Sequence, residues 1–238
     1  MSSKVMTKVA LVIPAYNEAS IIGNVIVELD EVFRSSGYDY RIIVVDDGSR
    51  DNTAAEAKRA GAYVIKHILN TGCGGATATG LSYAYQNGFD IATTSDADGQ
   101  HAAEDVLKGV YILAKSEVDL LIGSRLINKA GMSRVKVLGN KGLSFITYLL
   151  FGITVTDSQS GLRVFSRRAL AGLKWKTSGY EFCSEMLWRA KQIGMNIDEF
   201  PIKAIYTDYS KSKGQNNWNA FNIVTVLLRR RLVELFSE

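Results

Sequence analysis

Apolar residues in this chain fall into short continuous runs separated by amphipathic stretches. This is the pattern of strands covered on both faces alternating with helices. Lys8-Val9-Ala10-Leu11-Val12-Ile13-Pro14 is the first run, and a helical pattern over residues 19–33 follows it. Arg41-Ile42-Ile43-Val44-Val45 is a second buried strand, after which Ser49 or Asp51 can cap a helix over residues 53–60. Ala62-Tyr63-Val64-Ile65 predicts a third strand, and the glycine-rich Asn70-Thr71-Gly72-Cys73-Gly74-Gly75 opens a helix that runs through Tyr85. Phe89-Asp90-Ile91-Ala92-Thr93-Thr94-Ser95 reads as a fourth strand. A helix over residues 104–115 comes next, and Asp119-Leu120-Leu121-Ile122 is a fifth strand.

Strand–helix alternation at this spacing predicts an α/β fold, a Rossmann-like, mostly parallel sheet with helices on both faces. In such sheets ligands gather at the carboxyl ends of the strands. Polar clusters stand at four of those ends: Pro14-Ala15-Tyr16-Asn17-Glu18, Asp46-Asp47-Gly48-Ser49, Asp96-Ala97-Asp98-Gly99-Gln100-His101 and Gly123-Ser124-Arg125. Turn chemistry alone is a poor account of four such clusters in succession.

The third of these clusters carries the most chemistry. Residues i and i+2 of an extended chain point to one side, so Asp96 and Asp98 can address a single point. Two carboxylates and the Gln100 amide oxygen suit a hard, six-coordinate cation, Mg²⁺ or Mn²⁺, with positions left for substrate phosphates. A polar turn with Asp98-Gly99 at its corner is the alternative these residues leave open. The glycine-rich loop could cradle phosphate at a helix start. It lacks the Lys-Ser/Thr ending of a triphosphate loop, which points to close helix–sheet packing instead. His67 and His101 are too few and too scattered for a histidine metal site, and His101 reads as a helix-entry residue.

Charge is distributed unevenly. Residues 1–122 hold 10 Lys/Arg and 16 Asp/Glu, a balance of −6, while residues 123–176 hold 10 Lys/Arg and the single acid Asp157, a balance of +9. An acidic half followed by a basic half fits two anionic partners held beside a cation. No nucleic-acid motif or aromatic-basic platform accompanies the basic segment, so nucleic acid is not an expected partner. A lone carboxylate in a positive field ionises easily. Asp157 therefore suits orienting an acceptor or holding a partner arginine, with Arg163 the structural candidate. Cys73 and Cys183 match no metal or redox spacing and read as free buried thiols of a reducing compartment. Residues 1–8 lack an apolar signal core, and no run reaches the roughly 20 apolar residues of a membrane span.

The four clusters stand in the order seen in family 2 glycosyltransferases. Asp157-Ser158-Gln159-Ser160-Gly161-Leu162-Arg163 and Tyr180-Glu181-Phe182-Cys183-Ser184-Glu185-Met186 extend the match. Over residues 8–213 the chain resembles the polyprenyl-phosphate branch of that family, the dolichol-phosphate mannose synthases and glucosyltransferases. The resemblance implies the GT-A nucleotide-sugar fold, a GDP- or UDP-sugar donor, a divalent cation and a polyprenyl (dolichyl) phosphate acceptor. It places Pro14, Tyr16, Glu18 and Asp47 at the nucleoside, and Asp96, Asp98 and Gln100 at the cation. Arg125 and Arg134 fall on the acceptor-phosphate side, and Lys213 at the donor diphosphate. The reaction implied is inverting transfer of mannose or glucose, with Asp98, Asp157, Arg125 and Arg134 around the reacting groups. A polysaccharide or other soluble acceptor, or a non-catalytic sugar-nucleotide-binding subunit, are the other readings.

Residues 142–153 are apolar nearly all round, which fits either a buried core helix or a helix lying in a bilayer interface. Phe221, Val224, Leu228, Leu232 and Leu235 recur at helical spacing beside Arg229-Arg230-Arg231. Residues 1–213 are therefore expected to form the catalytic domain. Residues 214–238 are expected to form a basic amphipathic helix that docks the protein peripherally on the cytosolic face of a membrane.

Overall fold

The computed structural model describes residues 6–128, 134–205 and 225. Among these residues the elements run β1 (Lys8–Ala15), α1 (Ile22–Arg34), β2 (Asp39–Asp46), α2 (Thr53–Arg59), β3 (Tyr63–Lys66), α3 (Cys73–Gln86), β4 (Ile91–Thr94) and α4 (Ala103–Ala114). They continue through β5 (Leu120–Ser124), α5 (Arg125–Asn128), α6 (Arg134–Phe151), β6 (Arg163–Ser166), α7 (Arg167–Gly172), α8 (Phe182–Gln192) and β7 (Ile197–Pro201). The first five strands and the helices between them match the sequence pattern to within a few residues.

The strands form one sheet in the order β3-β2-β1-β4-β6-β5-β7. β1 pairs in parallel with β2 and β4, β2 with β3, and β5 with β7. β6 alone runs antiparallel, between β4 and β5. Side chains along β1 alternate between two cores. Val9, Leu11 and Ile13 face Ile22, Ile26, Val106 and Val110 of α1 and α4, while Ala10 and Val12 face Ala76, Leu81 and Met186 of α3 and α8. Continuous apolar runs are what a strand with helices on both faces requires.

Because β6 is reversed, its start lies at the same edge as the ends of the parallel strands. The stretch 157–161 that precedes it is therefore delivered to the edge formed by the carboxyl ends of the parallel strands. The sequence pattern did not announce this strand: it has four residues and opens on Arg163, which is 1% exposed.

Glycines set the closeness of the packing on α3. A Cβ at Gly80 would overlap Val12, and one at Gly74 would come within 2.7 Å of the Thr177 carbonyl and 2.8 Å of Phe182 Cβ. The glycine-rich segment thus serves helix packing. Gly80→Ala is expected to cost about 1–3 kcal/mol as an overpacked core position. Gly23→Ala, with open space around its Cβ, should be neutral or stabilising by up to about 1 kcal/mol. Urea unfolding of the two variants beside the parent checks both.

Candidate active site

The carboxyl edge gathers three groups of side chains. At the ends of β1 and β2, Asn17 takes a left-handed backbone (φ 55°), and its Oδ1 accepts from Arg50 N at 2.9 Å. Asn17 N donates to Ser49 Oγ and Glu18 N to Thr53 Oγ1, so the loops after the two strands are laced together. Asp51 accepts from Thr53 N at the start of α2 and from Ala19 N across the gap, although the N-cap position itself is held by Asn52 and not by Ser49 or Asp51. Tyr16 is 40% exposed, so its ring is available to a ligand. Asp46 and Asp47 are both buried, and Asp46 Oδ2 has no hydrogen-bond partner among the described residues.

Asp47 is more heavily engaged than a nucleoside contact requires. Its Oδ1 accepts from Thr71 N, Thr71 Oγ1 and His67, and its Oδ2 from Gly72 N, all at 2.7–2.8 Å. Burial pushes the carboxyl pKa up, but the hydrogen bonds from Thr71, His67 and Gly72 outweigh it and hold it below the ordinary value. This carboxylate ties the β3–α3 loop to the end of β2.

After β4, Gln100 N donates to Asp98 Oδ1 at 3.1 Å and its side-chain amide nitrogen to Oδ2 at 2.5 Å. Gln100 therefore faces Asp98 as a donor through its amide nitrogen. Burial, and then the neighbouring Asp96 charge, push the Asp98 carboxyl above its ordinary pKa. His101 Nδ1 accepts from Asp96 N, which puts the proton of the neutral ring on Nε2, 3.7 Å from Asp96 Oδ2. His101 is thus a buried support for Asp96 rather than only a helix-entry residue.

A cation fits this corner. The two carboxylates repel, which a cation between them would relieve, and Gly161 lets the chain pack directly against the Asp96 carboxylate, which a Cβ there would overlap. Among the described residues no cluster of three or more His, Cys, Asp or Glu side chains is arranged to hold a metal alone. Two carboxylates leave the remaining positions for phosphate oxygens and water, as Mg²⁺ commonly uses them.

The third group lies beyond β5. Asp157 is fully buried, and Arg125 grips it with Nε on Oδ2 at 2.7 Å and Nη2 on Oδ1 at 2.9 Å. The expected Asp157–Arg163 pair does not form. Arg163 points into the interior and donates to the carbonyls of Ser158, Ser160 and Cys183 and to Met186 Sδ. Its nearness in sequence misled, because the chain between Asp157 and Arg163 wraps around the guanidinium. Glu199, which no motif singled out, accepts from Thr156 N and Asp157 N and so holds the pair in place. Arg134 falls at the start of α6, but its side chain, like Lys213 and the expected 214–238 helix apart from residue 225, lies outside the described residues.

Tyr180 also belongs to this region. Burial first, and then electrostatic coupling to Cys73, Asp96, Cys183 and Asp98, push its phenol up to about 12. Cys73 and Cys183 are free thiols, both pushed upward by burial, as expected of inert thiols.

Residues 10–173 match the model of the glycosyl transferase family 2. The chain is 44% identical to the UDP-N-acetylglucosamine–dolichyl-phosphate N-acetylglucosaminyltransferase of Methanococcus voltae, over 93% of this chain and 95% of that one. It is 29% identical to the polyprenol monophosphomannose synthase of Mycolicibacterium smegmatis, over 93% and 88% of the two chains. Among solved structures, glucosyl-3-phosphoglycerate synthase from Mycobacterium tuberculosis, in complex with Mn²⁺, UDP-glucose and phosphoglyceric acid, superposes with a TM-score of 0.69. It has 22% identity and covers 95% of this chain and 80% of that one.

A raised folded-state pKa means that ionised Asp98 opposes folding. The folded state holds its proton more tightly, so stability falls as pH rises from the ordinary carboxylate value through the raised one. Without added metal at neutral pH, Asp98→Asn should therefore melt higher than the parent, by roughly 2–4 °C for each 1 kcal/mol relieved. The difference should close below the ordinary carboxylate pKa. Mn²⁺ should raise the melting temperature of the parent and leave Asp98→Asn unmoved, as read by melting curves across pH with and without the ion.

Proposed function

The chain belongs to the polyprenyl-phosphate branch of the family 2 glycosyltransferases and has the GT-A fold, and from that premise we propose inverting sugar transfer from a nucleotide diphosphate sugar to a polyprenyl (dolichyl-type) phosphate. One observation carries the choice of substrates: 44% identity to the Methanococcus voltae enzyme across nearly all of both chains. It favours UDP-N-acetylglucosamine as the donor to be tested first, ahead of the mannose and glucose donors expected from the motifs.

The arrangement of residues supports this chemistry. Tyr16 offers an exposed ring for the base, and Pro14, Glu18 and the Asp46–Asp47 edge surround the nucleoside. Asp96 and Asp98 would hold a Mg²⁺ or Mn²⁺ ion, which neutralises charge on the departing diphosphate. A lipid phosphate is anionic near neutral pH, so its oxygen attacks the anomeric carbon as the sugar–diphosphate bond breaks, without a strong general base. Asp157 fits that economy. With both oxygens taken by Arg125 it is placed to aim the guanidinium at the acceptor phosphate rather than to remove a proton. Arg134 and Lys213 keep their proposed roles toward acceptor phosphate and donor diphosphate.

Helix α6 fits both of its expected roles at once. Leu143 and Phe151 are buried in the core, while Leu138, Phe145, Tyr148 and Leu149 are exposed along the other side. No helix among the described residues is long and apolar enough to cross a membrane. An exposed apolar face next to a basic segment supports peripheral docking on an anionic cytosolic surface, where a polyprenyl chain is met.

Incubating the protein with Mn²⁺, a short polyprenyl phosphate and UDP-N-acetylglucosamine, UDP-glucose or GDP-mannose in turn should yield a glycolipid from the first. Product from none of the three would overturn the reading. Arg134→Ala should raise the acceptor KM more than the donor KM; equal effects would remove Arg134 from the acceptor side. Phe145→Glu with Leu149→Glu should weaken co-sedimentation with anionic vesicles. Binding by the parent should itself fall with salt, since charges are screened over about 10 Å at 0.1 M.

A further inference from the structure

His67 sits just past the end of β3 with both ring nitrogens engaged. Nδ1 lies 2.7 Å from Asp47 Oδ1, and Nε2 lies 3.0 Å from Thr79 Oγ1, in the second turn of α3. An ionised carboxylate only accepts, so Nδ1 carries the proton toward Asp47, and Nε2 is left to meet the Thr79 hydroxyl. The backbone is tied as well, with His67 N donating to Asp46 O at 2.9 Å. One residue thus holds both members of the Asp46–Asp47 edge, Asp46 through its main chain and Asp47 through its ring.

The loop that follows is pressed onto the same edge. A Cβ at Gly48 would lie 2.9 Å from Asn70 N and from Leu69 C, so the chain crosses the β2 end at the closest approach glycine permits. Thr71 and Gly72 then donate to Asp47. Within this tightly bonded loop, Ile68 and Leu69 are 97% and 75% exposed, at the edge that also carries the half-exposed Tyr16. Backbone and polar groups are thus committed to fixing one loop shape, while the apolar side chains are held outward.

We propose that His67 is a positioning residue for donor binding, acting through Asp47 to hold the β2 end and the 67–72 loop in the form that receives the nucleoside of the sugar donor. It rests on the reading that this edge takes the donor nucleoside. The ring touches no substrate. Its effect is on how much of the protein stands ready to bind, which enters affinity directly.

The test uses the full chain with UDP and Mn²⁺ in titration calorimetry, alongside steady-state transfer from UDP-N-acetylglucosamine. His67→Ala should raise the UDP Kd and the donor KM about tenfold, the effect of losing one charge-assisted hydrogen bond, with kcat within about twofold. His67→Asn, whose amide nitrogen can stand near the Nδ1 position, should restore most of the affinity. Thr79→Val, which removes the Nε2 partner together with its bond to the Gly75 carbonyl in the preceding turn, should raise the Kd by a smaller factor and serves if His67→Ala does not fold. Unchanged Kd and KM in His67→Ala, or in Thr79→Val where that variant is the one read, would overturn the proposal. So would equal loss of kcat, affinity and melting temperature with no rescue by His67→Asn. A parent that binds neither UDP nor GDP would instead refute the donor-site reading itself.

Discussion

A buried carboxylate with its guanidinium partner organises the second half of this molecule. Removing one member of a buried pair leaves an uncompensated charge that costs about 3–5 kcal/mol, so the surrounding chain must hold both members at bonding distance. Arg125 comes directly off the end of β5, while Asp157 comes from the stretch leading into β6. They meet because β6 is reversed and begins where β5 ends. Glu199 on β7 fixes the backbone of Thr156 and Asp157 from the other side. Ser144 of α6 reaches the Thr156 carbonyl and Ser158, so the helix proposed to face the lipid is bonded directly to the segment that holds the charge pair.

The two halves of the site handle charge in opposite ways. On the basic side the charges are matched within the protein: Arg125 is satisfied by Asp157, and Arg163 by carbonyls in the interior. On the acidic side they are left mismatched. Asp96 and Asp98 repel, and Asp98 retains its proton more readily than an ordinary carboxyl. Unrelieved repulsion at an otherwise well-bonded edge is the condition that the proposed cation and diphosphate would together resolve, and their binding would then be coupled to local stability.

Much of this was legible in the sequence, for identifiable reasons. β1, β2 and β5 are buried on both faces and announce themselves as apolar runs. The polar clusters follow because strand ends at one edge are where such residues serve a ligand. β6 escaped notice because it is four residues long and its first side chain is charged yet turned inward. Asp157 was matched to Arg163 because six residues separate them in the chain, while its actual partner lies 32 residues earlier. The structural roles of His67 and His101 are not legible in the sequence, because isolated histidines carry no spacing signal. The partner of His67, Asp47, lies 20 residues away and is brought alongside only by the parallel pairing of β2 and β3. Helix α6 read as ambiguous since it holds both a core face and a bare apolar one.

The placement of β6 also bears on how the chain can be made. A polypeptide emerging from its N-terminus can assemble β3-β2-β1-β4 as soon as residue 94 is available, because those strands pair with one another and only β4 awaits a later partner, β6. β5 has no such opportunity: both its neighbours, β6 and β7, are translated after it. Through that interval the growing chain carries one finished half-sheet with an open edge at β4 and an apolar strand awaiting partners. Unpaired edges of this kind are where incomplete chains associate with one another. Premature termination between residues 124 and 163 would release a chain with β5 unpaired and the β4 edge open.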